Sequence, residues 1–487
     1  KEHSQMEKIA KAARREKAVE SGKERRRGKA NKIGADTKYD FGGGVLTPYG
    51  GLLPLAALLE KLEFVKLLWE KLTVKRQPVS LSNAQFVLGT VLMFYLGFAR
   101  LHHVRYVRDD EMLQEVLGSK GRLPVQSTFW RFLGSLHLHN EEQLMGINRE
   151  MVRRVWEAGR VGLERVHVDT DSTVNTVYGE QMGGRKAYNP GKKGKKSVQP
   201  LLSFVAETGE CLRGKLHNGY TPTGEQMAEH ITAALRSVPA SVPEVVARAD
   251  AGFYCKEVVE AIEGLGDRYS YILSADKTSA LARQLEAADW KRWAGTAGVC
   301  EFGYEPMGWG RPRRFVAVRY RLEQEPSNQY QLFATEQWKY RVFVTNRPED
   351  KRALCREYDG RATAENYIKE GCNDAGFAVL SGRCFEANQN YLQLAILAYN
   401  SNRWLQLMAL PAEQTYQRTQ LRTNRLRLVF IAAKLVLHEG RRWIRLSQTF
   451  AEQQLFHGLM ERLRSIQKIR GSYTSNRAAP LTARVFA

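Results

Sequence analysis

The sequence predicts a mixed α+β/α/β chain in which a sheet flanked by helices follows an all-α segment and is interrupted by a β-rich insertion. Three observations predict it. Apolar residues recur with a helical period from Leu52 to about Gly159, and short β-runs replace that period at Arg165. A stretch of alternating aromatic and basic residues then breaks the later βα order between about 277 and 340. The chain has 487 residues, enough for two or three domains, and its 43% hydrophobic content is that of an ordinary globular protein.

The chain carries 74 Lys and Arg against 52 Asp and Glu, a net charge of +22. That excess implies a polyanionic partner. Nucleic acid comes first, because dispersed cations release counterions from a phosphate backbone. Residues 1–45 read as a basic arm and linker: "KIAKAARREKAVESGKERRRGKANK" has no apolar face, so it is a solvated helix or a disordered arm, and "DFGGGVLTPYGG" supplies turn residues. The first forty residues contain no apolar signal-peptide core, and no run approaches the ~18 apolar residues of a bilayer span. Six cysteines form no CxxC pair, so a reduced, cytoplasmic setting is expected.

Residues 46–160 read as a helical DNA-binding domain built on "LLPLAALLEKLEFVKLLWEKL" and "SLSNAQFVLGTVLMFYLGFARL". Within it, "LPVQSTFWRFLGSL" lets Ser127 or Thr128 cap a short helix that exposes Trp130 and Arg131. This resembles the second helix of a helix-turn-helix module; the alternative is an ordinary capped helix of a bundle. Beyond Arg165, "RVHVDTD", "VQPLLSFVAETGE" and "CLRGKLHNG" are strands. A helix ("GEQMAEHITAALRSV"), a strand ("EVVARADAGFY"), a helix ("CKEVVEAIEGLG") and a strand ("YSYILSA") follow. That order is the order of an RNase H-like domain, over residues 161–276 and, after the insertion at 277–340, 341–410. The region 411–487 contains a hairpin turning at Glu439-Gly440 and further helices.

In a net-positive chain the acids of "VHVDTDSTVN" stand out. His167, Asp169 and Asp171 share one strand face, and Asp171 sits where the strand ends, as does Asp250 in "ADAGFY". Either aspartate alone is as well read as a turn former. A third acid, Glu365, lies in "YDGRATAENYIKEGC", where Tyr358, Arg361, Glu365 and Lys369 fall on one helical face; a solvated i,i+4 ion pair between Arg361 and Glu365 is the alternative, but such a face suits phosphate work better. The "DST" at Asp171, the "ADAGFY" at Asp250 and the Y-x2-R-x3-E of Tyr358, Arg361 and Glu365 together resemble the DDE transposases of bacterial insertion sequences, in the group with a β-rich insertion before the last acid. "YNPGKKGK" and "FVAETGE" add to the likeness, which covers roughly residues 160 to 405.

The resemblance implies Asp171, Asp250 and Glu365 as catalytic metal ligands, with Asp169 the rival for the first place. A spent strand end leaves a metal more room, which favours Asp171. Carboxylates suit two Mg²⁺ ions, with Mn²⁺ as a substitute, about 3.5–4 Å apart across a reacting phosphodiester. No P-loop is present, so ATP is not expected. The family signature continues to a lysine seven residues after the glutamate; Cys372 stands there, and Lys369 is the nearest substitute.

Further DNA contacts are expected from "GRKAYNPGKKGKKS", which carries Arg185, Lys186, Lys192, Lys193, Lys195 and Lys196 without an acid. In "GWGRPRR", Trp309 is either a base-stacking residue beside Arg311 or a core tryptophan. The implied function is a DNA transposase that binds its element's terminal inverted repeats, cuts them and joins them to target DNA, as a homodimer because two ends are held together. The alternatives are a domesticated, non-catalytic DNA-binding protein and an RNase H-fold nuclease.

Overall fold

The computed structural model describes residues 2–28, 37–77, 80–187, 189, 191–321, 338–409 and 419–466. Tyr188 and Pro190 of the basic loop, part of the expected insertion and the end of the C-terminal region lie outside the described residues. The chain divides into two compact units, Lys1–Val45 and Leu46–Ala487. In the first, α1 (Glu2–Gly28) is a helix whose side chains from 6 to 21 are all exposed. Ala, Glu, Lys and Arg favour the helix, and the missing apolar stripe keeps it solvated.

The second unit begins with α2 (Leu53–Lys61), α3 (Phe64–Lys71), α4 (Asn83–Tyr95), α5 (Val104–Val107), α6 (Glu111–Leu117), α7 (Gln126–Gly134) and α8 (Leu138–Ala158). Ser82 opens α4 with a reciprocal capping box to Gln85. The residue before α7 is Val125, which makes no side-chain cap, so the expected cap by Ser127 or Thr128 is corrected: both lie inside the first turn. Phe129 and Phe132 of α7 pack on Phe86 at ring separations of 5.1 and 4.8 Å, which turns Trp130 and Arg131 outward.

The sheet has ten described strands. They are β1 (Arg165–Ser172), β2 (Asn175–Thr176), β3 (Ser197–Val205), β4 (Cys211–His217), β5 (Glu244–Ala249), β6 (Tyr269–Ser274), β7 (Lys291–Arg292), β8 (Gly298–Tyr304), β9 (Arg313–Arg321) and β10 (Trp338–Thr345). Spatially β4 is followed by β3, β1, β5, β6, β10, β9, β8 and β7, with β2 beside β3. β1, β5 and β6 are parallel; β3 and β10 flank them antiparallel. Helices α9 (Gly224–Arg236), α10 (Lys256–Glu263) and α11 (Ser279–Ala287) alternate with the strands; α12 (Lys351–Asp359), α13 (Ala362–Glu370) and α14 (Phe385–Ala409) follow.

Two expectations about segmentation change. The insertion strands β7–β9 continue the same sheet, because β10 pairs with β6 on one edge and along its whole length with β9 on the other. The helical segment 46–160 shares the sheet's core. Trp156 of α8 and Trp404 of α14 both donate indole hydrogen bonds, at 2.6 and 3.0 Å, to the buried carboxylate of Glu210 beside β4. Burial pushes that carboxyl up to about 7. A two-residue turn at Glu439 (φ 52°) and Gly440 (φ 71°) closes a hairpin of β11 (Ala433–His438) and β12 (Arg441–Leu446) where the sequence places it. No described helix is long and apolar enough to cross a membrane.

Candidate active site

Parallel pairing of β1 with β5 puts Asp169 beside Arg248 and Thr170 beside Ala249, so Asp171 and Asp250 leave the sheet side by side at the strands' C-terminal ends. Ligands of α/β sheets gather at this edge. Along β1 the face carrying His167, Asp169 and Asp171 lies under α12 and α13, and each polar residue meets a partner there.

Farthest from the strand end, the His167 ring sits 2.5 Å from a Glu207 oxygen and 2.7 Å from a Glu357 oxygen. Burial alone would lower its pKa, but these two carboxylates outweigh burial and raise it. Next, Asp169 is fully buried and accepts two hydrogen bonds from the Arg248 guanidinium, at 2.6 and 2.9 Å. Arg248 also donates to the Glu357 carbonyl, which fixes α12 over the strand. Both oxygens of Asp169 are therefore spent on a buried arginine.

At the strand end the pairing loosens. Arg361 Nη2 lies 2.9 Å from one Asp171 oxygen and 3.9 Å from an Asp250 oxygen. Yet Nε and Nη2 of Arg361 are buried without a directed hydrogen bond. The Asp171 side chain is 15% exposed and that of Asp250 43%. Burial pushes the Asp171 carboxyl up to about 6; Arg361 opposes the shift, while Asp250 and Glu365 add to it. Asp250 also accepts the Gly252 amide at 3.1 Å, so it forms a turn as well as facing the cleft.

Glu365 is exposed on α13, and its charge is felt at Asp171. Among the described residues no three His, Cys, Asp or Glu side chains stand together as a ready ion cage. The donor set nonetheless fits a hard divalent cation at Asp171 and Asp250: two crowded carboxylates, one whose ionisation burial opposes, beside a guanidinium with two buried nitrogens that make no directed hydrogen bond.

Several expected contacts are corrected. Tyr358, Arg361, Glu365 and Lys369 do not lie on one unbroken helix, because α12 ends at Asp359 and α13 begins at Ala362. Gly360 sits at the break since a Cβ there would lie 2.8 Å from the Arg248 guanidinium. Tyr358 is buried, and its hydroxyl donates to the Ala249 carbonyl at 3.2 Å, so it holds the strand before Asp250 and is withdrawn from DNA. Trp309 is only 8% exposed, packed against Tyr254 at 5.2 Å with Arg313 over its ring, which leaves no face for a base. Arg311 is exposed, but Glu263 engages its charge. Cys372 is packed against the core, and burial raises its thiol to about 11, so it offers no cation.

Arg185, Lys186, Lys192, Lys193, Lys195 and Lys196 are all exposed between β2 and β3, and Lys369 is exposed on α13. Sequence reasoning missed Arg248 and Glu357. Arg248 had a signal: it stands two residues before Asp250, as Asp169 stands two before Asp171, so the four share a face of neighbouring strands.

The chain resembles two solved transposase structures at low identity. One is the piggyBac transposase synaptic complex with hairpin DNA, at 12% identity over 78% of this chain and 85% of that one, with a TM-score of 0.33. The other is the Mos1 transposase paired-end complex with left transposon end, at 15% identity over 50% of this chain and 64% of that one, with a TM-score of 0.16. No curated protein matches by sequence. The family model described as transposase DDE domain group 1 matches residues 30–468. That span includes every strand and helix that carries the site, and the chain belongs to the DDE transposases.

Proposed function

We propose that this chain is a DNA transposase acting by metal-dependent cleavage and strand transfer, with Asp171, Asp250 and Glu365 as its acids. In this reading residues 161–276 and 341–410 form an RNase H-like core, supported by the strand order β4-β3-β1-β5-β6 with β1, β5 and β6 parallel. The strands within 277–340 extend that core, 46–160 bind the ends of a bacterial insertion sequence, and 1–45 and 411–487 flank them. The observation that carries the reading is the strand-end pair Asp171 and Asp250 bracketing Arg361, whose guanidinium is buried without directed hydrogen bonds.

Asp171, Asp250 and Glu365 would hold two Mg²⁺ ions, or Mn²⁺ in their place. Bound there, the ions supply activation of the nucleophile and neutralisation of charge on the leaving oxygen. The chain's own residues do the positioning. Arg361 grips a non-bridging phosphate oxygen, and Tyr358 anchors the Ala249 carbonyl beneath Asp250. The exposed lysines of 192–196, with Arg185, Lys186 and Lys369, hold the duplex backbone without reading sequence. ATP has no part, and a homodimer holds two ends together.

The test is cleavage, with Mg²⁺, of a labelled duplex carrying the element's end. Asp171→Asn, Asp250→Asn and Glu365→Gln should each bind the duplex and fail to cut. Normal cutting by Asp171→Asn alongside failure of Asp169→Asn overturns the assignment of the first acid. A non-catalytic DNA-binding protein is the second reading, left open by Cys372 at the position where the family signature has a lysine; wild-type cleavage that requires Mg²⁺ excludes it.

A further inference from the structure

The β11–β12 hairpin has two unlike faces. Its register pairs Leu435 with Ile444 and Ala433 with Leu446, and these apolar residues pack inward on the core. On the other face Lys434 pairs with Arg445, Val436 with Trp443, and His438 with Arg441. Lys434, Arg441, Trp443 and Arg445 are exposed, Trp443 by 55%, and among the described residues no acid pairs with any of the three cations. The single acid of the hairpin, Glu439, is at its tip.

An exposed tryptophan ringed by unneutralised cations is costly to leave in water without a use. We propose that the outward face of this hairpin is a duplex-DNA-binding surface separate from the strand-end acids. Lys434, Arg441 and Arg445 meet phosphates, and Trp443 lies against sugars and base edges. Six residues per strand give a ribbon about 20 Å long, and a two-stranded ribbon is of a size that the major groove admits. Charge complementarity selects a polyanion, and the rigid, twisted ribbon suits a duplex. The inference rests on the transposase reading for its choice of DNA.

The experiment is fluorescence anisotropy of the full chain with a labelled 30-base-pair duplex of arbitrary sequence, in EDTA, across 50–200 mM salt. Each phosphate contact removed lowers the salt slope by about 0.9, so Lys434→Gln/Arg441→Gln/Arg445→Gln should lower it by roughly 2.7. Wild type then loses about 40-fold more affinity than the triple variant over that fourfold salt range. Trp443→Ala should weaken binding while leaving the slope unchanged. A variant with Lys192, Lys193, Lys195 and Lys196 changed to Gln serves as the comparison. If that variant loses slope while the hairpin triple variant, melting at the wild-type temperature, does not, the hairpin inference is overturned and the transposase reading stands. Absence of duplex binding by wild type overturns both. Trp443-dependent binding to anionic vesicles with unchanged duplex binding assigns the face to a membrane and overturns the inference.

Discussion

Replacing Asp171 by Asn should stabilise the metal-free protein while abolishing its response to Mg²⁺. The carboxyl is pushed from an ordinary 3.8 up to about 6, burial being the main cause. Ionising it in the folded chain at neutral pH therefore costs about 3 kcal/mol relative to the unfolded chain. Asparagine keeps the shape of the protonated acid and removes that cost. For a unit of this size, roughly 3 °C in melting temperature is expected. The gain depends on pH in a defined direction. Below about 4 both folded and unfolded aspartate are protonated, so wild type and variant should melt together. The difference should open as pH rises from about 4 to 6 and stay constant above.

Mg²⁺ closes most of that gap in the same assay. At 100 times its dissociation constant a bound ion stabilises the native state by about 2.7 kcal/mol, which wild type should show and Asp171→Asn should not. The assay is scanning calorimetry of both proteins at pH 4, 5, 6, 7 and 8, with EDTA or Mg²⁺. A variant that melts below wild type in EDTA at pH 7, or gains as much from Mg²⁺, refutes the reasoning. Asp171 would then be a structural partner of Arg361.

Asp169→Ala should behave oppositely, costing about 3–5 kcal/mol in a denaturant melt because Arg248 is left buried without its acid. The His167 pKa is raised in the fold, so its contribution is complete below about 6.5 and lost as pH climbs through the raised value. His167→Gln should flatten the fall in melting temperature between pH 6 and 9. Trp309→Ala should cost about 3–5 kcal/mol of stability and leave duplex affinity unchanged when measured at 15 °C, since the ring is core.

How much of this was legible depends on where each constraint originates. The strand-end aspartates were readable because period-2 patterning and the end of an apolar run are local properties of "RVHVDTD" and "EVVARAD". The hairpin was readable for the same reason: "EG" between two alternating runs dictates a tight turn. The break between α12 and α13 was not, because nothing near Gly360 forbids helix; the reason for glycine is the guanidinium of Arg248, over a hundred residues away in sequence. Trp309 stayed open between stacking and core because flanking glycines suggest exposure, whereas Tyr254 and Arg313 decide its burial. Continuity of the insertion with the main sheet rests on pairing between β6 and β10, which no window of sequence contains.

The face of β1 also separates Asp171, the acid of the proposed site, from Asp169. Moving outward, His167 meets two carboxylates and Asp169 meets two hydrogen bonds from one arginine; both positions are fully satisfied. Asp171 instead accepts the Ser172 amide at 2.8 Å and meets Arg361 by charge, while Nε and Nη2 of Arg361 make no directed hydrogen bond. Each buried group left so costs about 1–3 kcal/mol. In the proposed reading this loosely directed pair at the sheet edge, with Asp250 more exposed beside it, would leave the carboxylates for a cation and the guanidinium for a phosphate. In the proposed reading a phosphate would supply the acceptors that Nε and Nη2 of Arg361 lack in the fold.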